Sequence, residues 1–179
     1  ADQLSKGGLK VPEISGPDAE KLKSFLYPGS SIANPIDFLA TGTAEQLGII
    51  IDYCEHKFDN IDAMVVVFGS AGLFNVENVY NVLSVKLEIC EKPIFPVLPS
   101  VINAEDEIKS FLQKGHIHFP DEVVLGKALA KVYNTPEPQS QKISLPKVDK
   151  EKIRSVIDAT SEGYLSPEQT VALLDAAGI

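Results

Sequence analysis

The side chains best placed to do chemistry fall in three short stretches. Gly69-Ser70-Ala71-Gly72 is built of small residues that let a phosphate or an acyl group come close to the backbone, and the Ser70 hydroxyl can donate a hydrogen bond to it. Ser100, in Pro99-Ser100, is the corresponding polar residue one apolar run later. Asn34-Pro35-Ile36-Asp37 pairs an amide with a carboxylate across a proline. These two groups can tie a strand end to neighbouring amides, as Asn and Asp do in most turns, or they can reach a ligand. Likewise the glycines of the first stretch either admit a ligand or serve only a tight turn. The candidate substrate-contacting residues are therefore Asn34, Asp37, Gly69, Ser70 and Ser100.

The histidines and cysteines offer less. His116 and His118 stand two apart, on one face if the chain is extended there, and His116 beside Gly115 has the chemistry of a phosphoryl acceptor or a general base. A third ligand is missing nearby, so no metal site is expected. His56, in Glu55-His56-Lys57, suits the negative end of a helix dipole. Cys54 and Cys90 lie far apart inside helical patterns and read as buried, reduced thiols. Spacing supports no Ser-His-Asp set, and the Gly-x-x-x-x-Gly-Lys-Ser/Thr pattern is absent, so no catalytic residue is assigned.

These stretches are positioned by a regular alternation of apolar runs. Residues 9–14 are extended, and Gly16-Pro17-Asp18 opens a helix to about Leu26. Thr43 caps a helix to about Lys57 with Leu47, Ile50, Ile51 and Cys54 on its inward stripe. Residues 62–68 hold a continuous apolar run, expected as a parallel strand covered on both faces. A helix ending near Cys90 precedes a strand at 93–98 that contains two prolines, and a helix at 104–114 precedes a very short strand at 117–119. Pro120-Asp121-Glu122 then opens a helix to about Tyr133. Strands alternating with helices imply a mainly parallel sheet with right-handed crossovers and helices on both faces, a flavodoxin-like three-layer α/β sandwich. In such sheets ligands bind beyond the carboxyl ends of the strands, which is where the candidate residues fall.

Composition changes after Asn134. Residues 135–148 are rich in proline, glutamine and serine and read as a linker; helices at about 149–160 and 166–177 follow as a C-terminal extension, the second opened by a capping box at Ser166 and Gln169. Sixteen Lys and Arg against 25 Asp and Glu leave a net charge of −9, with no basic cluster, which argues against a nucleic-acid partner. No apolar run approaches a membrane span and Ala1 to Lys10 lacks a secretory pattern, so a soluble, cytoplasmic protein without membrane association is expected.

Taken in order, residues 8–14 (Gly-Leu-Lys-Val-Pro-Glu-Ile), 31–39 (Ser-Ile-Ala-Asn-Pro-Ile-Asp-Phe-Leu), 61–67 (Ile-Asp-Ala-Met-Val-Val-Val) and 92–94 (Lys-Pro-Ile) resemble the NDP-forming acyl-CoA synthetases. That family includes the ADP-forming acetate-CoA ligases and is related to succinyl-CoA synthetase. Residues 1–134 are similar to its second flavodoxin-like ligase domain, with Asn34-Pro35-Ile36-Asp37 the most specific element. Tyr164-Leu165-Ser166-Pro167-Glu168 through Ile179 is similar to the opening of its ATP-grasp domain.

The resemblance implies a module of an enzyme that joins a carboxylate to CoA at the expense of an NTP, through an acyl phosphate and a phosphohistidine carried on another domain. None of His56, His116 or His118 sits in a matching motif. The family's domain opens with a strand and a Gly-Gly-Pro-Gly turn, whereas this sequence starts at Ala1-Asp2, inside the helix that would follow. Gly7-Gly8 falls at that helix's far end. The resemblance therefore implies a fragment that lacks the first strand and the phosphate site, binds no cofactor itself and is inactive alone. CoA, ATP or another NTP, and Mg belong to the intact, oligomeric enzyme, whose remaining domains or subunits are the partners. Either an upstream segment supplies the missing strand or the sheet is smaller. The rival reading is a non-catalytic scaffold or small-ligand-binding domain of the same fold. A synthetase module should turn the loops at 70–75 and 100–103 toward a partner; a free-standing receptor should enclose its own pocket.

Overall fold

A computed structural model of the chain describes residues 1–70, 76–138 and 147–179. It divides into two compact units, Ala1–Pro136 and Glu137–Ile179.

The first unit is organised around two parallel strands, β1 (Met64–Val67) and β2 (Ile94–Val97), with Met64 opposite Ile94 and Val67 opposite Val97. The β-branched run of β1 favours extended backbone. Phe119 adds a single parallel bridge to Val97 on the outer side of β2. The expected strand at 117–119 is thus reduced to one residue. Pro96 is accommodated for the same reason: Phe119 donates to the Pro96 carbonyl and Leu98 donates to the Phe119 carbonyl, so the proline's missing N–H lies on the side where only its carbonyl is needed.

Helices flank this pair: α1 (Asp2–Lys6), α2 (Pro17–Lys23), α3 (Ala44–His56), α4 (Glu77–Ile89), α5 (Glu105–Gln113) and α6 (Glu122–Tyr133). The Thr43 hydroxyl accepts from the Gln46 amide while the Gln46 side chain accepts from the Thr43 amide, the reciprocal cap that starts α3. Asp121 starts α6 by accepting from Val123 and Val124 at 2.7 and 2.9 Å. Gly8, at φ 88°, turns the chain out of α1. The core lies between the strands and α2, α3, α4 and α5, where Leu22, Ile51, Leu83, Leu98 and Phe111 are fully enclosed. The parallel pair with its flanking helices gives the first unit an α/β, flavodoxin-like fold, and the second unit is helical.

Two expectations are corrected. Strand β1 is not covered on both faces: Met64 and Val66 are buried, but Val65 is 37% and Val67 51% exposed. Among the described residues nothing pairs with the outer edge of β1, because the extended run at 9–14 is not hydrogen-bonded to it. That run is instead held by side chains, the Asn34 amide donating to the Pro12 carbonyl at 3.0 Å and the Asn60 amide to the Glu13 carbonyl at 3.3 Å. A further correction concerns the thiols: Cys54 is buried, while Cys90, just past the end of α4, is only half-buried.

The second unit contains α7 (Lys150–Asp158) and α8 (Pro167–Ala177). Ser166 and Gln169 form the anticipated capping box, and Gly178 closes α8 in the left-handed conformation at φ 78°. The Asp149 amide donates to the Ala176 carbonyl at 2.8 Å, and Gln169 reaches the Thr160 hydroxyl at 3.2 Å, so the two helices are tied at both ends.

Candidate functional site

The parallel pairing brings the residues that follow β1 and β2 side by side. Gly69-Ser70 and Pro99-Ser100 form one corner: the Ser70 amide donates to Ser100 Oγ at 2.6 Å, and that hydroxyl donates to the Ser70 carbonyl at 3.1 Å. One side chain thereby satisfies both backbone groups of the facing residue and locks the two loops together. Gly69 suits this closeness, since a Cβ there would stand 3.0 Å from Ser100 Oγ and 3.1 Å from the Pro99 ring, so that these neighbours would have to give by a few tenths of an ångström. Ala71 and Gly72, the rest of the small-residue stretch, lie outside the described residues.

Asn34 and Asp37 sit in a second corner. Ser31 and Asp37 exchange backbone hydrogen bonds at 2.8 and 2.9 Å, making a small antiparallel loop, and Asp37 Oδ1 accepts from the Leu39 amide at 2.9 Å. The Leu39 backbone is left-handed, φ 69°, and this carboxylate bond helps hold it there. The two corners are neighbours at the carboxyl end of β1, where the Phe38 ring lies 6.0 Å from that of Phe68. In both, the polar groups with described partners are spent on the protein's own backbone.

For the loop at 100–103, which a synthetase module should turn toward a partner, the sequence reading named the position but not its apolar surface. Val101 is 45% and Ile102 86% exposed, so the described part of the corner presents apolar side chains outward. The apolar pair in Val101-Ile102-Asn103 was the available signal.

The histidines do not join either corner. His116 packs its ring on Phe111, centroids 4.8 Å apart, and its Nε2 is shut off from solvent 3.9 Å from a Glu88 carboxylate oxygen. A phosphoryl donor has no approach to that nitrogen. His118 Nδ1 is likewise buried. Among the described residues no three His, Cys, Asp or Glu side chains gather around a common point. Burial pushes the Cys54 thiol up to about 11, against the opposing pull of Lys92, which leaves it protonated and unreactive. No described helix is long and apolar enough to cross a membrane.

No protein-family model matches the chain. It is 26% identical over 122 residues to the acetate–CoA ligase (ADP-forming) II subunit alpha of Pyrococcus furiosus, an alignment that covers 65% of this chain and 26% of that subunit. The crystal structure of PH0766 from Pyrococcus horikoshii OT3 matches with a TM-score of 0.62 at 21% identity, over 73% of this chain and 31% of the other. The chain thus spans about a quarter of the length of the curated relative and about a third of the solved one. The resemblance to the NDP-forming acyl-CoA synthetases is borne out by the sequence relative, and the α/β fold by the structural one.

Proposed function

We propose that this chain is a module of an NDP-forming acyl-CoA synthetase, an enzyme converting a carboxylate, CoA and an NTP into acyl-CoA, NDP and phosphate. The observation that carries the reading is the relation to an ADP-forming acetate–CoA ligase subunit over 122 residues. In this reading residues 1–134 are the ligase-type domain, 135–148 the linker and 149–179 the start of an ATP-grasp domain. The corner of Gly69, Ser70 and Ser100, with Asn34 and Asp37 beside it, forms one wall of the substrate site, completed by other domains or subunits. CoA, the nucleotide and Mg are held by the intact enzyme, and the phosphohistidine is supplied from elsewhere in it.

The locked corner and the exposed Val101 and Ile102 support this reading over that of a self-contained receptor, because an apolar rim beside a pre-formed turn suits a partner surface. The chain alone should therefore make no ATP from acetyl-CoA, ADP and phosphate. Residues 1–136 grafted in place of the matching stretch of the Pyrococcus furiosus subunit should retain ligase activity, and Ile102→Glu in the graft should abolish it. Turnover by the chain alone, or a folded, assembled and inactive graft, would overturn the proposal.

A further inference from the structure

The seam between α4 and α5 encloses a cavity of about 230 Å³ that the ligase reading does not use. Sites for drug-sized ligands measure about 300–1,000 Å³, so the occupant of this one is small. Its floor is made by Tyr80, Ser84 and Phe111, all buried, and its rim includes Asn81, Glu107 and Lys114. On α4 the positions 77, 80, 81 and 84 recur at helical spacing, and on α5 the positions 107, 110, 111 and 114 do the same, so each helix turns one face to the cavity.

The floor holds a polar group with nothing to bond. Ser84 is only 4% exposed, and its Oγ makes no hydrogen bond among the described residues, not even to the carbonyl four residues back that a serine inside a helix commonly uses. A buried hydroxyl left unpaired costs stability unless a group entering the site satisfies it. The rim is charged with opposite signs at its two ends. Glu107, in the first turn of α5, is half-buried beside Tyr80, and burial followed by this carboxylate's charge raises the Tyr80 hydroxyl to about 12. Asp106 is turned to solvent and lies 4.0 Å from Lys109, so Glu107 is the acid that the cavity itself holds. At the other end Lys114 reaches across the seam, where its Nζ donates to Asn81 Oδ1 at 2.7 Å. Two of the ammonium's three donors remain for another acceptor.

A carboxylate at one end, an ammonium at the other and an unpaired hydroxyl on the floor complement a ligand that carries both charges. Glu107 and Lys114 are seven residues apart, about 10 Å along the helix. A charged hydrogen bond of about 3 Å at each end leaves about 4–5 Å between the ligand's own charges. We infer that this cavity is a binding site for a small ω-amino acid, whose ammonium meets Glu107 and whose carboxylate meets Lys114 and the Ser84 hydroxyl. The Phe111 ring and the Tyr80 ring give its methylene chain an apolar bed. A simple amine would leave Lys114 unanswered, and a simple carboxylate would be set against Glu107. The site uses none of the residues assigned to the synthetase wall and is independent of that reading.

The test titrates the full chain with 4-aminobutanoate and follows backbone amide chemical shifts. Saturable shifts should centre on Ser84, Glu107 and Lys114, while butylamine and butanoate, each with one of the two charges, should bind at least about tenfold more weakly. Glu107→Gln and Lys114→Met, at half-buried and exposed positions where the fold tolerates the change, should each weaken 4-aminobutanoate by roughly tenfold. Ser84→Ala should weaken it about threefold or more and leave the unbound protein at least as stable, because the hydroxyl it removes has no partner to lose. No saturable shift up to about 10 mM, where even a millimolar site would be filled, overturns the inference. So does equal binding of butylamine or butanoate, or full binding by either charge variant. A destabilised Ser84→Ala also overturns it, since the hydroxyl would then already be paired.

Discussion

Strand β1 has two faces built from adjacent residues of one apolar run, and they have opposite fates. Met64 and Val66 are sealed against the core, whereas Val65 and Val67 line open space. Four consecutive side chains of similar character are thus split by the two-residue period of the strand and by what packs on each side. Apolar composition gives a run the capacity to be buried; the helices and strands that arrive around it determine whether that capacity is used.

The comparison breaks most visibly if the two faces are truncated separately. Phe111→Ala, on the sealed side and fully enclosed, should cost about 3–5 kcal/mol in denaturant unfolding, while Val67→Ala on the open side should cost less than about 1 kcal/mol. Equal costs would mean that the open face is filled in solution.

The sealed side also holds a pH-sensitive group. Folded Cys54 keeps its proton to about pH 11, against an ordinary value of 9.0 that it regains on unfolding. Between those values the folded state binds the extra proton, so stability is complete below about pH 9 and falls as pH rises through 11, by on the order of 2–3 kcal/mol. Comparing the alkaline unfolding profiles of the native protein and Cys54→Ala isolates this contribution, because other groups titrating there are common to both. A profile unchanged by the substitution would show that solvent reaches the thiol.

A smaller effect is expected at the corner beyond the strands. Ser100→Ala removes the hydroxyl that serves both backbone groups of Ser70 and should cost about 1–2 kcal/mol, measured by thermal unfolding. Ser100→Thr, which keeps the hydroxyl, should recover part of that stability.

Much of the local structure was legible in residue order. Thr43 with Gln46, and Ser166 with Gln169, announce their helices because a cap needs side chains only three positions apart. The apolar run at 62–68 was readable as a strand for the same local reason. Its open face was not, because exposure of Val65 and Val67 depends on residues as distant as Val132. The extended run at 9–14 shows the same limit: its backbone is held by Asn34 and Asn60, 22 and 47 residues away from their acceptors, and no local pattern encodes such a bond. The candidate residues divide similarly. That Asn34 and Asp37 brace a turn follows from their chemistry, but that Ser100 fastens itself to Ser70 requires β1 and β2 to be neighbours in parallel register.

The sequence by itself determined the alternating elements, their caps, the lack of a clustered metal-ligand pattern and the family resemblance, since all of these depend on side-chain type at short spacing. Tertiary structure alone decided that the two loop ends meet through a serine, that His116 turns inward against Phe111, and that one edge of β1 lies beside two cavities with no strand partner among the described residues. The physical reason is that burial and hydrogen-bond satisfaction belong to surroundings assembled from remote parts of the chain, and those surroundings exist only once the chain has folded.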